Sequence, residues 1–286
     1  MHDRLVVGFD GSPNAVAAVR WAAREAEQRN AAVRVIGSYA AVPVVDYYGV
    51  SAGEAAAAET EQRKQDCLAA LRTVVDEVAH GHRSVGFDYL AVDQLAARAL
   101  VDAAKDADLL VAGSSRAGTV RSFLLGSVMA EVLHESPCPV VIVPLRVPDK
   151  TTRIVVGIDG SECSNRALCW AADESQRLDG SLVVVHAWHY PYRITEGSFE
   201  RGCDIVQVDA ALVLEQAVAL ARDRTTTPVT SVLAEGGAAQ CLLDESERAD
   251  LLVVGSRGRG GLRSMLFGSV ALAVAAQTAC PAVVVR

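Results

Sequence analysis

The chain has 286 residues, of which 51% are hydrophobic, and a formal net charge of −8. That is length for one large or two ordinary domains, with apolar content for substantial cores. The acidic balance argues against a nucleic-acid surface, which needs clustered Lys and Arg. No segment approaches the roughly 18 apolar residues of a membrane helix. The amino-terminal apolar run is too short for a signal peptide and leads directly into Asp10-Gly11-Ser12. A soluble, cytoplasmic protein with neither nucleic-acid nor membrane partner is therefore expected. The seven cysteines include no Cys-x-x-Cys pair, and buried, reduced thiols are the plain reading.

Arg4 to Phe9 is a short, β-branched apolar run closed by a Gly/Ser turn, the pattern of a buried strand. Asn14 to Arg29 follows with Val19, Ala22, Ala23 and Ala26 on one helical face. Val33 to Tyr39 is a second strand, Glu54 to Ala79 a long Ala/Glu/Leu-rich helix, and Ser84 to Ala91 a third strand. A third helix is expected from Leu95 to Lys105 and a fourth strand from Leu109 to Ala112. A Gly/Ser/Arg loop, a short helix from Ser127 and a last strand, Val140 to Val143, close the series.

The series then restarts. Leu5-Val-Val-Gly-Phe-Asp-Gly-Ser12 reappears as Ile154-Val-Val-Gly-Ile-Asp-Gly-Ser161, Trp21-Ala22-Ala23 as Trp170-Ala171-Ala172, and Glu25 as Glu174. Ala107-Asp-Leu-Leu-Val111 returns as Ala249-Asp-Leu-Leu-Val253, so the second copy is shorter in its middle. Its strands are expected at Arg153 to Ile158, Leu182 to Ala187, Val229 to Ala234, Leu251 to Val254 and Ala282 to Val285. A repeat of this length is a duplicated domain. The domains are drawn at 1–146 and 152–286, with Val147 to Thr152 as linker. Alternating apolar strands and helices imply an α/β fold in each, a doubly wound parallel sheet with helices on both faces. Ligands bind such sheets beyond the carboxyl ends of the strands, at the switch point.

Two loops in each copy should meet there. The first is Asp10-Gly11-Ser12, repeated as Asp159-Gly160-Ser161. Its aspartate is positioned to accept hydrogen bonds from a nucleoside, while a turn in which Asp or Ser caps the next helix explains the same residues. The second runs in copy two from Gly255-Ser256-Arg257-Gly258 through further Gly and Arg residues to Gly268-Ser269. Glycine permits positive φ and close backbone approach, so successive N–H groups can form an anion-binding concavity. The helix beginning at Ser269 adds amides and a dipole that favour phosphate. The segment is neither a Walker loop nor a Gly-x-Gly-x-x-Gly after strand one.

Gly255-x-x-Gly258, nine residues, then Gly268-Ser269, together with the aspartate after strand one, resembles the ATP-binding pattern of universal stress proteins. The resemblance covers both halves and looks like the tandem-domain form common in actinobacteria. It implies two five-stranded parallel sheets of the adenine nucleotide alpha hydrolase-like type. It also implies ATP, with or without Mg2+, lying across the strand ends. By that resemblance Asp159 and Ala187 border the nucleoside, and Gly255, Ser256, Arg257, Gly258, Gly268, Ser269 and Val270 hold ribose and phosphates. The copy-one counterparts are Asp10, Ser38, Gly113, Ser114, Arg116, Gly126, Ser127 and Val128. Family members commonly pair through the last strand, which implies pairing of Val140 to Val143 with Ala282 to Val285, a homodimer being the other use of that edge. Copy one departs from the pattern at Arg116, where the second glycine belongs, and at Gln94, opposite Gly236 of copy two. If that glycine is needed for positive φ, arginine strains the turn; alternatively Arg116 reaches a phosphate itself.

Other candidates are weaker. His186-x-x-His189 lacks a third ligand, so no metal is expected. Trp21, Trp170, Cys138 and Cys280 read as packing residues. No Ser-His-Asp set or carboxylate pair is arguable, and the signatures of adenylylating synthetases and ATP pyrophosphatases are absent. The leading functional expectation is an ATP-binding regulator of a stress response, acting on a protein partner that the sequence does not name. A slow ATP hydrolase and a structural paralogue that binds no nucleotide are the alternatives.

Overall fold

The computed structural model describes residues 3–40, 53–114, 126–148, 150–189, 199–259 and 267–286. They form two compact units, one from the described part of Met1–Ser115 with Gly126–Leu145, the other from the described part of Arg146–Arg286. The first unit runs β1 (Arg4–Phe9), α1 (Pro13–Arg29), β2 (Ala32–Ser38), α2 (Gly53–Ala79), β3 (Phe87–Val92), α3 (Ala96–Ala103), β4 (Leu109–Gly113), α4 (Ser127–Glu135), β5 (Val140–Val143). The second repeats it: β6 (Arg153–Ile158), α5 (Glu162–Leu178), β7 (Ser181–Trp188), α6 (Phe199–Arg222), β8 (Val229–Glu235), α7 (Ala238–Ser246), β9 (Leu251–Gly255), α8 (Ser269–Gln277), β10 (Ala282–Val285).

Within the first unit the strand order is β3-β2-β1-β4-β5, and within the second β10-β9-β6-β7-β8. Every pairing inside a unit is parallel. The chain winds one way from β1 to β3 and then returns to the far side of β1 with β4. The switch point therefore lies between β1 and β4, and between β6 and β9 in the second unit, where ligands bind such sheets. Central strands are buried on both faces: Leu5, Val6, Val7, Leu110 and Val111 are fully enclosed, as are Ile154, Val155, Val156, Leu252 and Val253. One layer of helices packs α1 beside α2, the other α3 beside α4; α5 with α6 and α7 with α8 repeat the arrangement.

Helix ends follow the local chemistry. Ser12 caps α1 by accepting from the Ala15 N–H at 3.2 Å, and Ser161 caps α5 by accepting from the Ser164 N–H at 3.2 Å. Each helix closes on a left-handed residue, Asn30 at φ 54° and Asp179 at φ 50°. Most expected elements lie within two residues of their observed bounds. The third strand starts later, at Phe87, because the preceding residues turn: the Val85 N–H donates to His82, and Ser84 Oγ donates to Glu27. Helix α3 ends at Ala103 and tightens into a 3-10 turn, Ala104–Asp106.

Two glycines at corresponding strand ends set the spacing between sheet and helix. A Cβ on Gly113 would lie 2.5 Å from the Asn14 carbonyl carbon, and one on Gly255 2.7 Å from that of Cys163. Both obstacles are backbone in the first turn of a packed helix, which cannot step aside as a side-chain tip can. Gly113→Ala and Gly255→Ala should each lower unfolding stability by roughly 1–3 kcal/mol, the usual cost of overpacking. Gly81→Ala, whose added Cβ meets nothing closer than 3.7 Å, should be close to neutral; urea unfolding of the three variants checks the contrast.

Candidate functional site

The turns after β1 and β6 share one geometry. Gly11 and Gly160 lie in the left-handed region at φ 80° and 78°, which side chains rarely adopt. Asp10 Oδ1 accepts from the Ser12 N–H at 2.9 Å, and Asp159 Oδ1 accepts from the Ser161 N–H at 3.0 Å. The turn-and-cap reading of these residues therefore holds in both units. In the second unit Asp159 does more: its Oδ2 accepts from the Arg259 N–H at 2.7 Å. Burial pushes this carboxyl up, yet hydrogen bonds from Ser161, Arg259 and Ser164 outweigh it and hold Asp159 below the ordinary carboxylate range.

The glycines of the second loop have different jobs. Gly255 is the helix-packing glycine already described. Gly258 is not in the left-handed region, so the positive-φ condition for strain at an arginine is not met there. A Cβ at this position would instead lie 2.4 Å from Asp159 Oδ2 and displace the carboxylate. Gly268 is the N-cap of α8; it offers no side-chain cap, and its N–H donates to the Ser256 carbonyl at 2.9 Å. Ser256, also expected at the site, is placed differently from these glycines. It is buried, its N–H donates to Val285, and it lies outside the lining of the cavity. Residues 260–266 lie outside the described residues.

These pieces enclose a cavity of about 370 Å³ at the switch point. Asp159, Ala187, Gly255, Arg257, Gly258, Gly268, Ser269 and Val270, all expected site residues, line it. Its apolar wall adds Ile158, Val185, Leu242 and Val254, and Arg259 and Phe267 complete the rim. Sequence reasoning missed the wall from α7. Leu242 fits against Gly157, where a Cβ would lie 2.6 Å from its tip, and only the crossover of α7 under β6 brings the two together. Arg259 was legible as the neighbour of Gly258, but nothing in the pattern marked its backbone N–H.

In the first unit Asp10 is exposed and Gly126 caps α4 without a side-chain hydrogen bond. Ser127 is exposed and Val128 is 40% exposed. Ser38 Oγ donates to the Gln94 carbonyl at 2.5 Å, and the Gln94 side chain is exposed. Ser114 is buried; its N–H donates to Val143 at 2.8 Å, and the Asn14 amide donates to its carbonyl. Arg116 lies outside the described residues. In the second unit His186 is buried with Nδ1 at 2.8 Å from the Ile158 carbonyl, and His189 is exposed. Trp21 is buried and Trp170 half-buried. Cys138 and Cys280 are buried beside Ser136 and Thr278, and burial pushes the Cys280 thiol up to about 12.

The direction of the Asp159 shift fixes a pH dependence. A depressed folded-state pKa contributes stability that is present above the unfolded value and is lost as pH falls through the folded one. The stability gap between wild type and Asp159→Asn should therefore be flat at neutral pH. It should shrink as pH falls below the ordinary carboxylate range, and urea unfolding across a pH series measures it. A gap that widens on acidification would contradict the hydrogen-bonded carboxylate.

Comparison with known proteins places this geometry. The model of the universal stress protein family matches residues 1–144 and 150–286. A universal stress protein of Mycobacterium tuberculosis is 34% identical, with 99% of this chain and 96% of the relative covered. One of Mycolicibacterium smegmatis is 32% identical over the same shares. Among solved structures, a universal stress protein of Archaeoglobus fulgidus superposes with a TM-score of 0.71 at 19% identity, covering 100% of this chain and 99% of its own. With two family matches in tandem and relatives of the same length and order, the chain belongs to the universal stress protein family as a two-domain member.

Proposed function

We propose that the second domain binds ATP in the cavity at its switch point, and that occupancy makes the protein a nucleotide-dependent regulator in a stress response. One observation carries the reading. The nine-residue helix α8 opens on this cavity with a glycine, Gly268, as its N-cap, and among the described residues no side chain caps its N-terminus. Its first amides are thus left for an anionic ligand. The other linings complement that end. Ile158, Val185, Ala187, Leu242 and Val254 form an apolar wall suited to a base, and Arg257 and Arg259 stand on the phosphate side. A volume of about 370 Å³ lies in the range of small-molecule sites, roughly 300–1,000 Å³.

Binding is favoured over hydrolysis by the state of the lining. Among the described lining residues Asp159 is the only carboxylate, and both its oxygens already accept N–H groups. Those hydrogen bonds hold its carboxyl below the ordinary carboxylate range, which makes it a weak base for activating water. Any Mg2+ would arrive on the phosphates, since no three His, Cys, Asp or Glu cluster among the described residues. Regulation follows if ATP favours one conformation of the domain over another, because a ligand shifts a population only through differential affinity.

Calorimetric titration should give one ATP per chain, assigned to the second domain; two would add the first domain, and none would end the proposal. Labelled ATP should be retained without turnover, whereas metal-dependent release of ADP would make the protein a hydrolase. Gly258→Arg, which copies the residue at the matching position of the first domain, should lower affinity at least about tenfold, or about 1.4 kcal/mol, with the fold retained by circular dichroism. Unchanged affinity would place the phosphates elsewhere.

A further inference from the structure

In the second domain one carboxylate joins the turn after β6 to the loop after β9. Asp159 Oδ1 holds the Ser161 N–H at 3.0 Å, and Oδ2 holds the Arg259 N–H at 2.7 Å. A second tie runs alongside, with Ser161 Oγ donating to the Arg257 carbonyl at 3.4 Å. Gly258 lies between them, and a Cβ there would come within 2.4 Å of Oδ2 and push the carboxylate off these hydrogen bonds. Residues Arg257, Gly258 and Arg259 are exposed and lie beyond the last residue of β9. These hydrogen bonds tie this exposed stretch to the turn after β6.

We infer that Asp159 is a positioning residue: its carboxylate latches the glycine-rich loop at Arg259 and so sets the place of the Gly258 backbone and the two arginines before any ligand arrives. This rests on the second domain being the ligand site. It gives Asp159 a role apart from touching a nucleoside. Preorganised donors cost no ordering when the ligand binds, and a loop that must be ordered on binding loses affinity by that cost. The latch also explains why position 258 is glycine although its φ is one that any residue adopts. Asp159→Ala tests it. Alanine has no acceptor where the carboxylate has two, so both N–H groups must be released.

The experiment is amide hydrogen exchange on the whole protein without nucleotide, at neutral pH. The Arg259 N–H, although its residue is exposed, should be protected in the wild type. In Asp159→Ala it should exchange at least about tenfold faster, as expected when a charge-assisted hydrogen bond is lost. The Leu252 N–H, bonded to Pro281 inside the sheet, should keep its protection and so report that the variant is folded. If wild-type Arg259 exchanges at the rate of an unprotected amide, the latch is refuted without recourse to the variant. Equal protection in wild type and folded variant refutes it as well. ATP affinity of the same variant supplies the second arm. A fall of at least about tenfold supports positioning, whereas unchanged affinity beside a released amide overturns it. Failure of the wild type to bind ATP would count against the proposed function alone, since the exchange measurement is made without nucleotide.

Discussion

The structure of the site depends on a contact between a strand end and the first turn of a helix. Gly255 ends β9 against the backbone of Cys163 and Ser164, as Gly113 ends β4 against Asn14 and Ala15, at distances that exclude a side chain. This contact brings the loop after β9 beside the turn after β6. Residues a hundred positions apart, Asp159 and Arg259, then come within hydrogen-bond reach. A wider gap would open the cavity to solvent and part the carboxylate from its N–H. The backbone spacing therefore precedes the electrostatics, and a packing constraint accounts for a glycine whose place in a binding motif invites a purely phosphate-centred reading.

The two domains separate scaffold from chemistry. Both keep the capped turn, the left-handed glycine at 11 and 160, the packing glycine and the glycine-capped helix after the loop. The turn and the first two glycines serve folding and would be retained whatever is bound, whereas the glycine-capped helix also presents amides to a ligand. The difference lies at the residue after Ser115 and Arg257, arginine in one copy and glycine in the other. In the second domain a Cβ at that position would lie 2.4 Å from Asp159 Oδ2, so an arginine on the same path would displace the carboxylate from its hydrogen bonds. Two copies of one frame thus need not share one ligand chemistry.

The carboxylate also shows how competing effects resolve. Burial alone would raise Asp159, but hydrogen bonds from Ser161, Arg259 and Ser164 overcome that cost. Buried charge is tolerated when donors replace water. Cys280 shows the opposite outcome: burial dominates and the thiol stays protonated at neutral pH. Asp159 is half-buried and well supplied with donors, whereas Cys280 is almost fully enclosed, and the two shifts run in opposite directions.

Strand and helix order, the duplication and the parallel doubly wound sheet were legible in the chain itself. Apolar runs such as Ile154-Val-Val-Gly-Ile158 and the restart of the whole pattern leave few other folds. The loop edge of the cavity was legible too, through the spacing of Gly255, Gly258, Gly268 and Ser269, while much of its wall was not. Tertiary structure decided what each of them does. It assigned Gly255 to helix packing and Gly258 to the space beside Asp159, it withdrew Ser256 from the cavity into the interior, and it supplied Leu242 from α7. The physical reason is range. Periodicity and turn chemistry are local and can be read along the chain, whereas a clash between a missing Cβ and a carboxylate a hundred residues away exists only once the strands have been set side by side.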